Sequence, residues 1–162
     1  MSTQKDKIER WKNAMIDSAR KIYKEDKELM PVAMLYVEDS ATIIVGMPFS
    51  NQREKELCSH KLRDLVRQHK AIACLFIHEG YMKQFKKKDK DILNAYQSGN
   101  LSVKDMDGRI EAVVIVFETK SGDKELITIE IENKKLGEEK SIKDGDAQGL
   151  FSNFFATPIW VN

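Results

Sequence analysis

Two polar runs carry the side chains with the most chemical reach, Met47-Pro-Phe-Ser-Asn-Gln-Arg53 and His78-Glu-Gly-Tyr81. Ser50, Asn51 and Arg53 stand just ahead of an amphipathic segment. There the free N–H groups and positive dipole end of a helix would meet a guanidinium, an arrangement suited to phosphate or carboxylate. His78 and Glu79 could move a proton at the same place. Ser50, Asn51, Arg53, His78 and Glu79 therefore form the candidate ligand-binding site, and no residue is assigned a catalytic role. The simpler reading is that Asn51 only caps the helix, Arg53 is solvated, and His78 closes a strand end by bonding to backbone. With no Walker loop and no GxGxxG turn, the motif content favours that simpler reading.

Other constellations point elsewhere. Glu118-Thr-Lys120 and Glu132-Asn-Lys134 have the Glu-x-Lys spacing in which a carboxylate holds Mg²⁺ and a lysine steadies the attacking water. A nuclease also needs a neighbouring acid. Asp107 begins the strand that Glu118 ends, roughly 30 Å or more away at about 3.3 Å per residue, so Glu38 or Asp39 would have to serve. Lys83, Lys86, Lys87, Lys88 and Lys90 could contact a phosphate backbone, although Asp89 and Asp91 interrupt the run and no paired aromatics offer a stacking surface. His60, His69 and His78 lack the spacing of zinc ligands. Cys58 and Cys74 read as small buried hydrophobes. No cofactor and no metal is called for.

These residues need elements to position them. Ile8, Trp11, Met15, Ala19, Ile22 and Tyr23 recur at helical spacing, and that helix should end before Pro31. Val32–Val37 and Ala41–Val45 read as a hairpin turned at Glu38-Asp-Ser40. Asn51 and Glu54 resemble a capping box opening a second helix, with Leu57, Cys58, Leu62, Leu65 and Val66 as its apolar stripe. Ala71–Ile77 has no polar interruption and reads as a strand covered on both faces, lying parallel beside the strand that ends at Val45. Both strands would finish at one sheet edge, where crevices form.

Two short helical pieces are expected between Gly80 and Gly99, then a loop from Ser98 to Gly108. Ile110–Phe117 is a central strand. Lys120-Ser-Gly-Asp-Lys124 turns it into Leu126–Ile131, with Ile127, Ile129 and Ile131 on one face and Thr128, Glu130 and Glu132 on the other. Asn133–Gly149 is charged and reads as a surface loop. Leu150, Phe151, Phe154, Phe155, Ile159 and Trp160 carry too much aromatic surface to leave in water, so the tail should dock.

The chain of 162 residues, 41% of them hydrophobic, has no internal divider and predicts one domain over 1–162. The expected fold is α+β (mixed α/β), with about five strands in a largely antiparallel sheet and one β-α-β crossover. Twenty-seven basic residues against 26 acidic ones exclude a global nucleic-acid footprint. No apolar run approaches the length of a membrane span, which predicts a cytoplasmic protein.

The succession Phe76-Ile-His-Glu-Gly-Tyr-Met82, a loop, and Asp107-Gly-Arg-Ile-Glu-Ala-Val-Val-Ile-Val-Phe-Glu-Thr-Lys-Ser-Gly-Asp123 resembles a group of small uncharacterised bacterial and phage proteins. The resemblance implies such an origin and brings no activity and no functional residue. Three function classes follow. The leading one is a non-enzymatic interaction or regulatory module with a protein partner, or a homo-oligomer joined through the aromatic tail or an exposed strand edge. The others are an enzyme acting on a small anion at the strand ends, and a nucleic-acid binder or metal-dependent nuclease.

Overall fold

The computed structural model describes residues 3–82, 90–98 and 109–143. The expected aromatic tail, the lysines at 83–88, Asp107 and the loop at 99–108 lie outside them. The chain opens with helix α1 (Gln4–Asp26), started by a capping box. Thr3 Oγ1 accepts from Asp6 N at 3.1 Å, and the Asp6 carboxylate accepts from Thr3 N at 3.3 Å. It stops at Lys27, which takes a left-handed conformation and donates its N–H to Tyr23 O, well before Pro31.

Strands β1 (Val32–Tyr36) and β2 (Ile43–Gly46) form the expected hairpin, and helix α2 (Gln52–Gln68) then leads to β3 (Ala73–Met82). Helix α3 (Lys90–Gln97) precedes β4 (Ile110–Thr119), β5 (Lys124–Glu132) and β6 (Lys135–Lys143). The six strands make one sheet in the order β2-β1-β3-β4-β5-β6, every neighbouring pair antiparallel.

Three expectations change. β2 and β3 do run in the same direction with α2 between them, but they are not neighbours. β1 lies between, pairing Val32 with Gly46 on one side and with Ile77 on the other. The strand expected to end at Ile77 continues through the polar run His78–Tyr81, because β4 stays in register with β3 as far as Met82. The charged stretch expected as a loop contains a sixth strand. A two-residue turn at Asn133 and Lys134, both at positive φ, folds β6 onto β5. Positive φ at both central residues matches the twist of the flanking strands.

Each face of the sheet has its own core. On one, α1 lays Ile8, Trp11, Ile16, Ala19 and Tyr23 over Leu75, Ile77, Ile115, Ile127 and Ile129. On the other, Leu62 and Val66 of α2 cover Ala33, Leu35, Cys74 and Phe76. β3 is thus covered on both sides as its composition requires, though between antiparallel neighbours. The inward Ile127, Ile129 and Ile131 of β5 are buried as the alternation predicts. Ile22 and Leu57 depart from their stripes and are exposed. Lys12 takes a buried place on α1 instead, its ammonium 2.8 Å from Glu9 and 3.3 Å from Glu125.

Candidate functional site

The α2 N-terminus is built from its own side chains. Asn51 has extended backbone and accepts from Glu54 N at 2.8 Å, as an N-cap should. Glu54 reaches back past the cap, its carboxylate accepting from Ser50 N at 2.6 Å and Ser50 Oγ at 2.8 Å. Those two bonds hold the Glu54 carboxyl below its ordinary pKa. The anion at this helix start is therefore a residue of the chain itself. Arg53 is exposed.

His78 meets this region through aromatic packing. Its ring lies 5.8 Å from Phe49 and 5.4 Å from Phe76, and Lys55 Nζ stands 5.6 Å over the Phe49 ring. Nδ1 is 2.9 Å from Glu79 O, the backbone bond of the simpler sequence reading. Gly80 follows on the same face. A Cβ there would come within 3.3 Å of His78 Cε1, so the missing side chain is what seats the imidazole.

His78 is 8% exposed, and burial pulls its pKa down to about 4. The bond to Glu79 O acts in the opposite direction, and the charge of Lys55 adds to the lowering. Burial also lowers the pKa of Lys55. At neutral pH His78 is an uncharged aromatic in a packed wall, poorly matched to proton transfer near pH 7.

Glu79 is on the other side of the sheet. Successive strand residues point to opposite faces, and its carboxylate accepts from Leu29 N at 3.1 Å on the α1 side. The sheet therefore separates His78 from Glu79. Of the five candidate residues the structure gathers Ser50 and Asn51, joins His78 to them through Phe49, and turns Glu79 away. The sequence reading missed Phe49 and Lys55 as neighbours of His78. An aromatic two residues before the cap was the available signal.

Glu79 instead lines a polar cavity of about 340 Å³ at the α1 C-terminus, with Asp26, Glu28, Glu111 and Lys134. The Tyr23 hydroxyl is buried without a hydrogen-bond partner, and its pKa is raised by burial and then by Glu79 and Glu111. A second cavity of about 350 Å³ lies over Lys12, Glu125 and Phe117. Burial pulls the Lys12 pKa down, but Glu9 and Glu125 outweigh it and the net shift is upward.

Of the two Glu-x-Lys pairs, Glu118 is buried with Lys124 Nζ at 3.9 Å, and Glu132 is exposed opposite Lys135. Among the described residues no group of three His, Cys, Asp or Glu is placed to hold a metal, and no helix is long and apolar enough to cross a membrane.

The two sheet edges differ sharply. β6 carries Lys135, Glu138, Glu139 and Lys140, the charges that discourage a sheet edge from pairing further. β2 is Ile43-Ile44-Val45-Gly46, without a charge. Ile44 is 61% exposed, and Met30 beside Gly46 is 64% exposed. Met47 N donates to Pro31 O at 2.9 Å, so Met47 and Pro31 form a hydrogen-bonded pair. Such pairs alternate along an antiparallel ladder. Ala33 with Val45 and Leu35 with Ile43 are then bonded likewise, and Ile44 and Gly46 turn their N–H and C=O groups out from the sheet.

Comparison with protein-family models, with curated proteins and with solved structures finds no match to this chain.

Proposed function

We propose that this protein is a non-enzymatic interaction module whose binding element is the β2 edge, which has no further strand beside it among the described residues and accepts an extended apolar strand. The observation that carries the reading is the charge-free edge at Ile43–Gly46, with outward main-chain groups at Ile44 and Gly46 beside the exposed Ile44 and Met30 side chains. Strand addition of this kind takes affinity from main-chain bonds and selectivity from alternate side chains. The contrast with β6 adds support, since only one of the two edges carries the charges that deter pairing.

Two features favour binding over catalysis. Glu54 N at the start of α2 is taken by the Asn51 side chain and the Glu54 carboxylate by Ser50 just ahead of the cap, and His78 is packed between aromatic rings with its pKa lowered to about 4. An anion-dependent enzyme would need both groups available.

A solubilised peptide carrying residues 41–47 tests the reading by NMR titration against the full chain. The expected result is saturable movement of the Ile44 and Gly46 amide resonances with the β6 amides unmoved. Movement confined to β6, or none anywhere, overturns it.

A further inference from the structure

Resting on the β2-edge reading, the geometry points to a second copy of this chain as the occupant, paired β2 to β2 about a two-fold axis through Val45. An antiparallel edge pair is self-complementary, so a two-fold satisfies the same groups on both copies. Two residues of β2 face outward, Ile44 and Gly46. Setting Ile44 of one copy opposite Gly46 of the partner subunit uses both of them in both chains. Each hydrogen-bonded pair exchanges two bonds, so four main-chain bonds close the seam.

The side chains fit that register. Ile44 and Gly46 lie on the α1 face, since they pair with Met34 and Val32, and Met34 belongs to the α1 core. Ile44 of one copy then comes to lie across Gly46 of the other, where no side chain stands in its way. The nearest atom to a Cβ built on Gly46 is Met30 Sδ at 3.9 Å. The exposed Ile44 would therefore land against the exposed Met30 of the opposite copy, burying the two most open large apolar side chains among the described residues. On the α2 face Val45 meets its own counterpart on the axis.

Charge permits this pairing at β2 and discourages it elsewhere. β2 brings no ionised group to the seam, and the whole chain carries a formal charge of only +1. Self-pairing at β6 would instead force a row of lysines and glutamates together. The product of the β2 seam is one continuous sheet to which each copy contributes its six described strands.

Sedimentation equilibrium of the full chain, run up to millimolar concentration, is the first measurement. The expected mass is twice the chain mass of 18.7 kDa. Ile44→Lys should return it to one chain with an unchanged far-UV spectrum, because the replaced side chain is exposed in the single copy. Ile142→Lys on β6, also at an exposed position, should leave the doubled mass intact.

Val45→Cys in a Cys58→Ala background adds a test of register. Residues on the axis form a non-hydrogen-bonded pair with Cα atoms about 4.5 Å apart, within the span of a disulfide. Mild oxidation should cross-link this variant quantitatively. A doubled mass that Ile142→Lys abolishes and Ile44→Lys does not overturns the proposal, as does a dimer in which Val45→Cys fails to cross-link.

A single-chain mass throughout overturns it too, and the peptide titration then separates the two failures. If the peptide moves Ile44 and Gly46, the edge still binds a strand and only the second copy is wrong. If it moves neither, the edge reading falls with it.

Discussion

Acid should loosen this protein through one histidine. His78 has an ordinary pKa of 6.5, lowered to about 4 by burial in the folded chain. The unfolded chain therefore binds a proton there across a pH range in which the folded chain does not, and stability rises with pH wherever the unfolded state holds more protons. The contribution is complete above about pH 6.5 and is lost as the pH falls from 6.5 towards 4. At about 1.4 kcal/mol per pH unit the full loss is about 3 kcal/mol, of which about 2 kcal/mol has gone by pH 5.

His78→Phe provides the reference, because phenylalanine suits a wall already made of Phe49 and Phe76 and cannot take a proton. Urea unfolding followed by far-UV circular dichroism at pH 7.5, 6.5, 5.5 and 5.0 gives both curves. Carboxylates and the other histidines contribute alike to the two proteins, so the difference between them isolates His78. The wild type should lose about 2 kcal/mol more than the variant between pH 7.5 and pH 5. Parallel curves would refute the argument, and so would an NMR titration of His78 Cε1 with its midpoint near 6.5.

Four further outcomes follow. Asn51→Ala should lower stability by about 1 kcal/mol through loss of the α2 cap, measured as a shift in urea midpoint. Arg53→Ala should change it by less than about 0.5 kcal/mol; phosphate that raises the melting temperature of the wild type and not of Arg53→Ala would instead revive an anion site. Lys12→Ala, which strands the buried Glu125 carboxylate, should cost about 3 kcal/mol by the same assay, and Lys12→Met combined with Glu125→Leu should recover most of it. Ellman's reagent should titrate Cys58 alone in the folded protein and both thiols in urea, since Cys74 is fully buried with its pKa raised by burial and by Glu118.

Much of the fold was legible because one local rule dominated each element. The stop of α1 before Pro31 and the Asn51 cap of α2 are settled by contacts within a few residues. The alternation of Ile127, Ile129 and Ile131 states which face of β5 is dry before any partner is known. Where two influences compete, the pattern misled. Ile22 sits within a helical apolar stripe yet is exposed, while Lys12 is buried because Glu9 and Glu125 neutralise it. β6 looked like loop because an edge strand with one neighbour tolerates charge over most of its length. Its turn, Asn133-Lys134, lacks the glycine that usually announces such a hairpin.

The candidate site was legible in part. Asn51 as a cap follows from its type and from Glu54 three residues later, although the partner that Glu54 chooses, Ser50, does not. That His78 packs against Phe49, and that Glu79 faces away, depends on β3 continuing through residues 78–82. Only the β4 register settles that point.

By itself the sequence determined α1 and α2, the β1–β2 and β4–β5 hairpins, the two-sided burial of β3 and the near-neutral charge, because propensity, periodicity and capping act over a few residues. Only the tertiary structure decided that β1 separates β2 from β3, that the sheet stands between His78 and Glu79, and that β2 is the edge left without charge. Strand order is set by burying two apolar faces at once across the whole chain, and no short window of residues contains that condition.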